Sequence, residues 1–598
     1  MFDSCDARGA VCIAPEFGQG ATASDTNDRC AGRKLLLGLL LILGLLVPFT
    51  AAFEETGAPM DEGSLLLYPE LIRHGELPYR DFETFYGPAN AYVLATTYSI
   101  FGPDIMVERT VGLLYRALIL SLVFALIARW NPTLATGCTV LTAWVLLGAR
   151  IVAYAWCGGI ACLLGSILFL TGARSDARAF FAGLLGSCAL LYRVDLAPAI
   201  ILSALPLLHF TIPAQRVRYF IGAATGLLPL GLLTCAVGPR EMINNLFLYP
   251  VVYSSVARHL PMSAVEPYVR ALFATHLLAV GLNLVAGIVA IRVQPRELRN
   301  RLLLSLALLG AMLTIQAAQR LDLMHLTCAA FLSVGTLPLS LLILLAGGRE
   351  WQPKLAPILL ATIAVLAALE AVAPEIAAFV KQESQRALFP REDDGHFVQH
   401  AGRSFPCSSR EEALTVARIL DRLEKESVPG QRVFVGPADL RRTNYCDTFI
   451  YHLMPKLQPS GYFLEMNPLS ANRAGSRLVD DIRSSDWLVL NRAIDNWTEK
   501  NRSLEFQSNA PNLAVREGFQ LVGEFGSYLL FRAKTELRAS RRPTGGRRNS
   551  RFNLASCALA FGCNRSADFI HRPGGHARAR YEWRKATIRF RCSGIFSS

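Results

Sequence analysis

The sequence predicts a polytopic α-helical membrane protein with about eleven transmembrane helices and an α/β domain towards its C-terminus. Two observations predict this fold class. Of the 598 residues, 52% are hydrophobic and only 18% are charged, which is too apolar for an ordinary soluble protein of this size. Apolar stretches of roughly 17 to 25 residues, the length that crosses a hydrocarbon core about 30 Å thick, recur from residue 34 to residue 373 and then stop.

Eleven apolar stretches predict eleven membrane-spanning helices. They lie at about 35–53, 108–128, 134–155, 157–172, 179–193, 195–211, 218–237, 270–292, 300–319, 325–347 and 354–372. The segment 88–102 is also apolar, but it has only 15 residues and begins with Pro88. We therefore interpret this segment as interfacial and not as a span.

The charges in the short loops predict the orientation. If Arg33 and Lys34 mark a cytoplasmic start, eleven Arg and Lys residues lie in the short cytoplasmic loops, whereas the short outer loops after the third span hold only four arginines. This asymmetry follows the positive-inside rule, and counting 88–102 as a span would invert it. An odd number of spans then places residues 374–537 on the extracytoplasmic side.

Residues 374–537 have the pattern of an α/β domain. A helical pattern at 410–426 precedes the strand-like segment 432–437, and further strand-like segments lie at 486–491 and 526–533. Cys407 and Cys446 are the only cysteines in this domain. In an oxidising compartment they are predicted to form a disulfide, provided that their Cα atoms come within reach.

The net charge of +13 is concentrated at the C-terminus. Residues 538–598 hold 13 Arg and one Lys against only Asp568 and Glu582, without helical or strand periodicity. This segment is predicted to be a basic, disordered tail, and no nucleic-acid partner is inferred from it. Residues 1–33 are predicted to be a disordered cytoplasmic N-terminus, which leaves 34–373 as the transmembrane domain with its first outer loop at 54–107.

The sequence lacks the common motifs of metal and nucleotide sites. No CxxC pair, HExxH motif or phosphate-binding glycine-rich loop occurs in it. No cofactor is predicted. The absence of a nucleotide-binding loop favours a lipid-linked substrate over a nucleotide sugar.

The order of features in the first outer loop points to a family. After the first span come Asp-Glu-Gly at 61–63, Leu-Pro-Tyr-Arg-Asp-Phe at 77–82, Tyr-Gly-Pro at 86–88 and Glu-Arg at 108–109. This order resembles the N-terminal third of membrane glycosyltransferases of the GT-C superfamily, in the bacterial branch related to lipid A aminoarabinose transferases and protein mannosyltransferases. The resemblance covers roughly residues 34–210 and is weaker beyond them.

The resemblance implies transfer of a sugar from a polyprenyl-phosphate donor to a cell-envelope glycan, lipid or protein acceptor at the outer face of a bacterial inner membrane. Asp61 matches the acidic residue that acts as general base near the acceptor hydroxyl, in a single displacement that inverts the anomeric carbon. Glu62 would orient the acceptor or hold a divalent cation together with Asp61. Because related branches differ in metal use, no metal is predicted.

The leaving phosphate gains negative charge, so cationic groups near the same membrane face are candidate binding residues. The candidate substrate-binding residues are Arg80 with its acidic neighbour Asp81, and Arg109, Arg193, Arg320 and His325. Arg320 is the strongest of them because Asp322 and His325 lie beside it. Each candidate alone is also typical of a topology-setting or solvated residue.

Two functions of other classes remain as alternatives. A multi-span transporter would suit eleven spans, although the sequence shows no convincing two-fold internal repeat. A non-catalytic membrane scaffold would leave the clustering of Asp61, Glu62, Arg80 and Asp81 unexplained. Replacement of Asp61 by Asn separates these alternatives, because only an enzyme should lose turnover.

Overall fold

The computed structural model describes residues 38–172, 175–253, 260–348, 354–389, 396–441, 445–461, 471–472, 476–493 and 508–535. The predicted disordered segments 1–33 and 538–598 lie outside the described residues.

The first part of the chain is helical. Its α-helices are α1 (Gly38–Glu54, ending in a 3₁₀ turn), α2 (Asp61–Arg73), α3 (Ala89–Phe101), α4 (Ile105–Ile127), α5 (Pro132–Leu147), α6 (Ala155–Leu170), α7 (Asp176–Tyr192), α8 (Ala197–Leu208), α9 (Pro213–Val237), α10 (Pro239–Ile243), α11 (Pro267–Val293), α12 (Leu298–Gln319), α13 (Leu323–Gly335), α14 (Leu337–Leu345), α15 (Leu355–Val372) and α16 (Pro374–Leu388). A π-helix, Asn244–Tyr253, follows α10.

The predicted fold class is confirmed. Each of the eleven apolar stretches corresponds to a helix, or in one case to the consecutive pair α13 and α14. Among the described residues, six helices are long and apolar enough to cross a membrane, counting α13 and α14 as one. The segment 88–102 forms α3, whose 13 residues are too few to cross a hydrocarbon core.

Polar side chains cap the N-termini of several of these helices. The Asp104 side chain accepts a hydrogen bond from the Met106 backbone N–H at the start of α4, and Asn131 caps α5 in the same way. Asp322 caps α13 by accepting from the His325 N–H. Such caps satisfy backbone donors that have no partner inside the helix, so they fix where each helix begins.

The last part of the described chain is an α/β domain. Its elements are β1 (His396–His400), β2 (Arg403–Cys407), α17 (Arg410–Glu426), β3 (Arg432–Pro437), α18 (Phe449–Leu453), β4 (Gln458–Pro459), α19 (Leu478–Ser484), β5 (Trp487–Asn491), α20 (Ala510–Gly518), β6 (Phe519–Phe525) and β7 (Tyr528–Ala533). The helix predicted at 410–426 and the three predicted strands are all present.

The domain has a mixed five-stranded sheet. The strand order is β4-β3-β5-β7-β6, with β3 parallel to β4 and β5, and β7 antiparallel to β5 and β6. Strand β5 is buried along its whole length, which explains its continuous apolar sequence. Strands β1 and β2 form a separate antiparallel hairpin against α17.

Helix α2 lies against the α/β domain. A Cβ atom on Gly63 would come within 2.3 Å of the Phe449 backbone nitrogen, so only glycine allows this approach. The Thr448 hydroxyl donates to the carbonyl oxygen of Met60 at 2.7 Å, and the Phe449 N–H donates to that of Pro59 at 3.1 Å. The first turn of α2 is therefore held from the domain side.

Candidate active site

The helical part contains an open cavity beside α2, with about 850 Å³ of empty space when its mouth towards solvent is included. Its walls come from the first half of α2, the segment before and at the start of α3, the N-terminus of α6, Arg193 after α7, Gln316 on α12, and one face of α13. Most of the lining is apolar or aromatic, including Tyr68, Tyr86, Tyr154 and Trp156. A cavity with few charged groups in an apolar wall is typical of a small-molecule or substrate site.

Asp61, the predicted base, opens α2 and lines this cavity. Its side chain is half-buried and forms no hydrogen bond or ion pair within the described part of the chain. Burial raises the pKa of the Asp61 carboxyl above its usual value, while the nearby His325 and Arg150 oppose that rise. A carboxylate of raised pKa without a protein partner is suited to accept a proton from a ligand.

Glu62, the next residue, has a different environment. It is fully buried and forms a two-pronged ion pair with Arg109, with Nε to Oε1 at 2.8 Å and Nη2 to Oε2 at 3.1 Å. Its Oε2 also accepts from the Ala58 N–H at 2.6 Å. Arg109 uses its Nη1 on the carbonyl oxygens of Ala52, Phe53 and Glu55.

These contacts place two of the residues predicted from the sequence away from the cavity. Neither Glu62 nor Arg109 lines the cavity, because a buried charge is tolerated only with its hydrogen-bonding groups satisfied and the two residues satisfy each other. The roles predicted for Glu62 at the acceptor and for Arg109 at the phosphate stay predictions. Asp61 and Glu62 also do not present a pair of carboxylates to a cation, and in the described ranges no three His, Cys, Asp or Glu side chains cluster as metal ligands.

Arg193 reaches the cavity from the turn after α7. Its guanidinium donates to both carboxylate oxygens of Asp195, at 2.9 and 2.6 Å, and lies 5.6 Å from the centre of the Tyr86 ring. With the Gln316 amide oriented so that its oxygen faces Arg193, that oxygen accepts from Nη1 at 2.9 Å. Arg193 is thus held in a fixed position at the cavity wall.

The cluster predicted between the ninth and tenth spans is present. Asp322 accepts from Arg320 Nε at 2.9 Å and bonds His325 Nδ1 at 2.8 Å. Burial opposes ionisation of Asp322, but the His325 contacts and the Arg320 charge hold its pKa at about 2. His325 lines the cavity and Arg320 does not, so the structure places the two predicted residues differently.

Arg80 and Asp81 lie away from the cavity lining. Their side chains form an exposed two-pronged ion pair, with Arg80 Nη2 2.7 Å from Asp81 Oδ2. Asp81 also accepts from the Leu77 N–H at 2.8 Å. This pair lies in the turn after α2, and the substrate contact predicted for it stays a prediction.

Sequence reasoning missed the aromatic side chains of the cavity. Tyr154 lies directly before α6 and Trp156 lies in its first turn. Both line the cavity together with Asp61, from which they are more than 90 residues away in the sequence. The only available signal was an aromatic pair at the boundary between two predicted spans. That signal is weak, because interfacial tyrosine and tryptophan are common in membrane helices.

The predicted disulfide in the α/β domain is wrong. Cys407 and Cys446 are both buried free thiols. Cys446 donates to the carbonyl oxygen of Val435 at 3.2 Å, whereas Cys407 ends β2 with its sulfur 3.9 Å from the Phe405 carbonyl oxygen. Each thiol is thus packed into a separate contact, as buried cysteines often are.

Comparisons with known proteins found similar solved structures. No family model and no curated protein matches the chain. ArnT from Cupriavidus metallidurans bound to undecaprenyl phosphate is 12% identical, with a TM-score of 0.48 over 84% of this chain and 98% of that one. The apo state of the same protein is 13% identical, with a TM-score of 0.48 over 85% and 99%. The Archaeoglobus fulgidus oligosaccharyltransferase in complex with zinc and sulfate is 11% identical, with a TM-score of 0.41 over 83% and 72%.

Proposed function

We propose that this chain is a membrane glycosyltransferase that moves a sugar from a polyprenyl-phosphate donor to a cell-envelope acceptor, a glycan, lipid or protein. In this proposal the reaction occurs on the extracytoplasmic side of a bacterial inner membrane, where the α/β domain also lies. The observation that carries the proposal is the Asp61 carboxylate, which has no partner among the described residues and lines a cavity that also holds Arg193 and His325. The resemblance of the first long loop to GT-C glycosyltransferases supplies the reaction class.

Asp61 acts as the general base in this proposal. Its carboxylate takes the proton of the acceptor hydroxyl as the hydroxyl oxygen forms a bond to the anomeric carbon of the sugar. The bond from that carbon to the lipid phosphate breaks, and the phosphate leaves with the bonding electron pair. A single displacement of this kind inverts the anomeric configuration. The raised pKa of Asp61 makes it a stronger base than an exposed aspartate.

Arg193 is assigned to the leaving phosphate in place of Arg320. Arg193 lines the cavity, whereas Arg320 is turned towards Asp322 and does not. Because Asp195 and Gln316 hold the guanidinium in place, little reorganisation is needed when charge develops on the phosphate. The planar guanidinium also matches the geometry of phosphate oxygens.

His325 is a second candidate group for the substrates. Its Nδ1 is engaged by Asp322, which stays ionised because its pKa is about 2. With Nδ1 bonded to Asp322, Nε2 is the ring nitrogen left for a substrate oxygen. Asp322 has a positioning role here, because it orients the ring and does not itself line the cavity.

The test adds the purified full-length protein to membranes from a strain in which its gene is deleted. Those membranes keep both the sugar donor and the sugar acceptor. Mass spectrometry of the glycans and lipids before and after incubation should show transfer of one sugar by the wild type. Asp61→Asn nearly conserves the volume and removes the base, so we expect kcat to fall by about 100-fold or more. A wild-type rate in Asp61→Asn would refute the assigned base.

The pH dependence gives an independent check. The reaction needs ionised Asp61, so activity should fall as the pH decreases through the pKa of that carboxyl. Because burial raises this pKa, the fall should lie at a higher pH than the usual range of an aspartate. An acid limb at or below that usual range would contradict the environment assigned to Asp61.

A further inference from the structure

Tyr154 is a cavity residue whose hydroxyl has no hydrogen-bond partner in the described part of the chain. It lies directly before α6, and its hydroxyl oxygen is buried although the side chain lines the cavity. Leaving a buried hydroxyl unpaired costs about 1 to 3 kcal/mol. A polar group kept in such a setting is suited to bind a ligand.

The backbone that carries Tyr154 is held by buried charges on α4. Arg116 is almost fully buried and donates from Nη1 to the carbonyl oxygens of Ile151 and Val152, both at 3.1 Å. Its Nη2 donates to the Arg150 carbonyl oxygen. One guanidinium therefore binds three consecutive carbonyl groups of the connection between α5 and α6.

Two further side chains hold the residue next to Tyr154. Glu108 Oε1 accepts from the Ala153 N–H at 2.6 Å, and Asn90 Nδ2 donates to the Ala153 carbonyl oxygen at 2.8 Å. Gly112 permits the close approach, because a Cβ atom there would lie 1.8 Å from the Ile151 carbonyl oxygen. Both polar groups of the Ala153 backbone are thus bound by side chains of other helices.

Tyr154 and Asp61 are close but are not bonded to each other. The Asp61 charge acts on the Tyr154 hydroxyl, and no hydrogen bond joins the two groups. A tyrosine phenol is protonated at neutral pH. The phenol therefore stays protonated and can donate, while the Asp61 carboxylate can only accept.

We propose that Tyr154 binds the sugar-accepting molecule beside Asp61. Its hydroxyl donates a hydrogen bond to a second oxygen of that molecule, next to the hydroxyl that acts as the nucleophile. This inference rests on the proposed glycosyltransferase function and adds the class of its acceptor. Donation to the nucleophilic oxygen itself would withdraw electron density from it, so a neighbouring oxygen is the better partner. The acceptor is then a sugar or another polyol with adjacent oxygens, and not an isolated hydroxyl such as a serine or threonine side chain.

The network around residues 150–153 gives this interaction its precision. Substrate contacts need a residue whose position is set by its supporting contacts, because a displacement of about 1 Å can remove most of the benefit. Arg116, Glu108 and Asn90 supply those contacts through the backbone, and none of them forms a hydrogen bond with the phenol. They are positioning residues for Tyr154.

Tyr154→Phe tests the proposal, because it removes one oxygen atom and keeps the ring. In the deletion-strain membrane assay we expect kcat/KM to fall about tenfold, the usual value of one hydrogen bond to an uncharged group. The thermal unfolding midpoint should stay the same or rise, since an unpaired buried hydroxyl has been removed. Tyr92→Phe on the exposed side of α3 is the matched control and should retain wild-type activity.

The outcomes separate this inference from the proposed function. An inactive wild type would refute the glycosyltransferase function itself. An active wild type with an equally active Tyr154→Phe would refute only the role of Tyr154, and so would a lowered unfolding midpoint that accounts for the lost activity. If Asp61 and Tyr154 bind one acceptor, adding Tyr154→Phe to Asp61→Asn should reduce the rate by much less than tenfold.

The identity of the product decides the acceptor class. Mass spectrometric fragmentation locates the hydroxyl that receives the sugar. A modified hydroxyl with an oxygen on the adjacent carbon is the expected result. A sugar attached to a serine or threonine side chain would overturn the assignment of Tyr154 to a second acceptor oxygen.

Discussion

On the packed face of α2 the buried carboxylates are paired, whereas on the cavity face Asp61 has no partner in the described part of the chain. Glu62 is bound by Arg109. Glu70 accepts two hydrogen bonds from Arg403, at 3.0 and 2.7 Å, and bonds His452 Nδ1 at 2.9 Å. Asp61 and Tyr154 instead face the cavity without hydrogen bonds from their side chains.

Helix α2 therefore serves both the stability of the fold and the chemistry of the site. Paired groups on the packed face fix α2 against α4 and against the α/β domain. This fixed helix can then hold an unpaired carboxylate in a partly desolvated position, which is unfavourable for folding but useful for catalysis.

The largest effect should come from breaking the packed face at Glu62. Glu62→Ala leaves Arg109 as a buried charge without its carboxylate, which typically costs about 3 to 5 kcal/mol of unfolding free energy. Thermal unfolding of the purified protein in detergent measures this loss. In the double variant Glu62→Gln, Arg109→Met both charges are absent, so part of the stability should return.

An unfolding midpoint of Glu62→Ala close to that of the wild type would break the comparison, because the packed face would then contribute no more than the cavity face. Asp61→Asn is the matched control on the neighbouring residue. Among the residues that the structure describes, its carboxylate has no partner to lose, so its unfolding midpoint should not fall.

The positions of the helices could be predicted from the sequence, but the roles of the two adjacent carboxylates could not. Length and hydropathy determine where a helix can cross a membrane, and these are local properties. Which of Asp61 and Glu62 meets a charge depends on where α4 places Arg109, 47 residues away. Neighbouring residues on a helix point in directions about 100° apart, so a shift of one position exchanges a buried ion pair for a cavity.

The α/β domain shows the same limit. Helix α17 could be predicted because its polar and apolar residues alternate at the helical period, with a serine cap at its start. The pairing of Cys407 and Cys446 was inferred only from their being the two cysteines of the domain. Whether their sulfur atoms meet is decided by tertiary packing, which buries each thiol in its own contact.

A smaller effect should come from the cationic wall of the cavity. Arg193→Ala removes charged hydrogen bonds to a phosphate, so affinity for a synthetic polyprenyl phosphate should fall at least tenfold. Arg320→Ala should reduce it by less than about threefold, because Arg320 does not line the cavity. Direct binding to the purified protein in detergent measures both variants. A larger loss of affinity in Arg320→Ala than in Arg193→Ala would show that Arg320 binds the phosphate and that the phosphate lies outside the cavity.

The smallest effect on stability and activity should come from Arg80→Ala. This variant tests whether an ion pair stabilises the fold because it is paired or because it is buried. Arg80 and Asp81 are paired as closely as Glu62 and Arg109, but their side chains are 42% and 30% exposed. Water already solvates such charges, so an exposed pair contributes only about 0 to 1 kcal/mol. Arg80→Ala leaves the hydrogen bond from the Leu77 N–H to Asp81 intact, and we expect unfolding free energy to change by less than about 1 kcal/mol. Sugar transfer should stay within about twofold of the wild type, because neither residue lines the cavity. A large loss of transfer with normal stability would show that the turn at residues 77–82 binds substrate, as the sequence alone predicts.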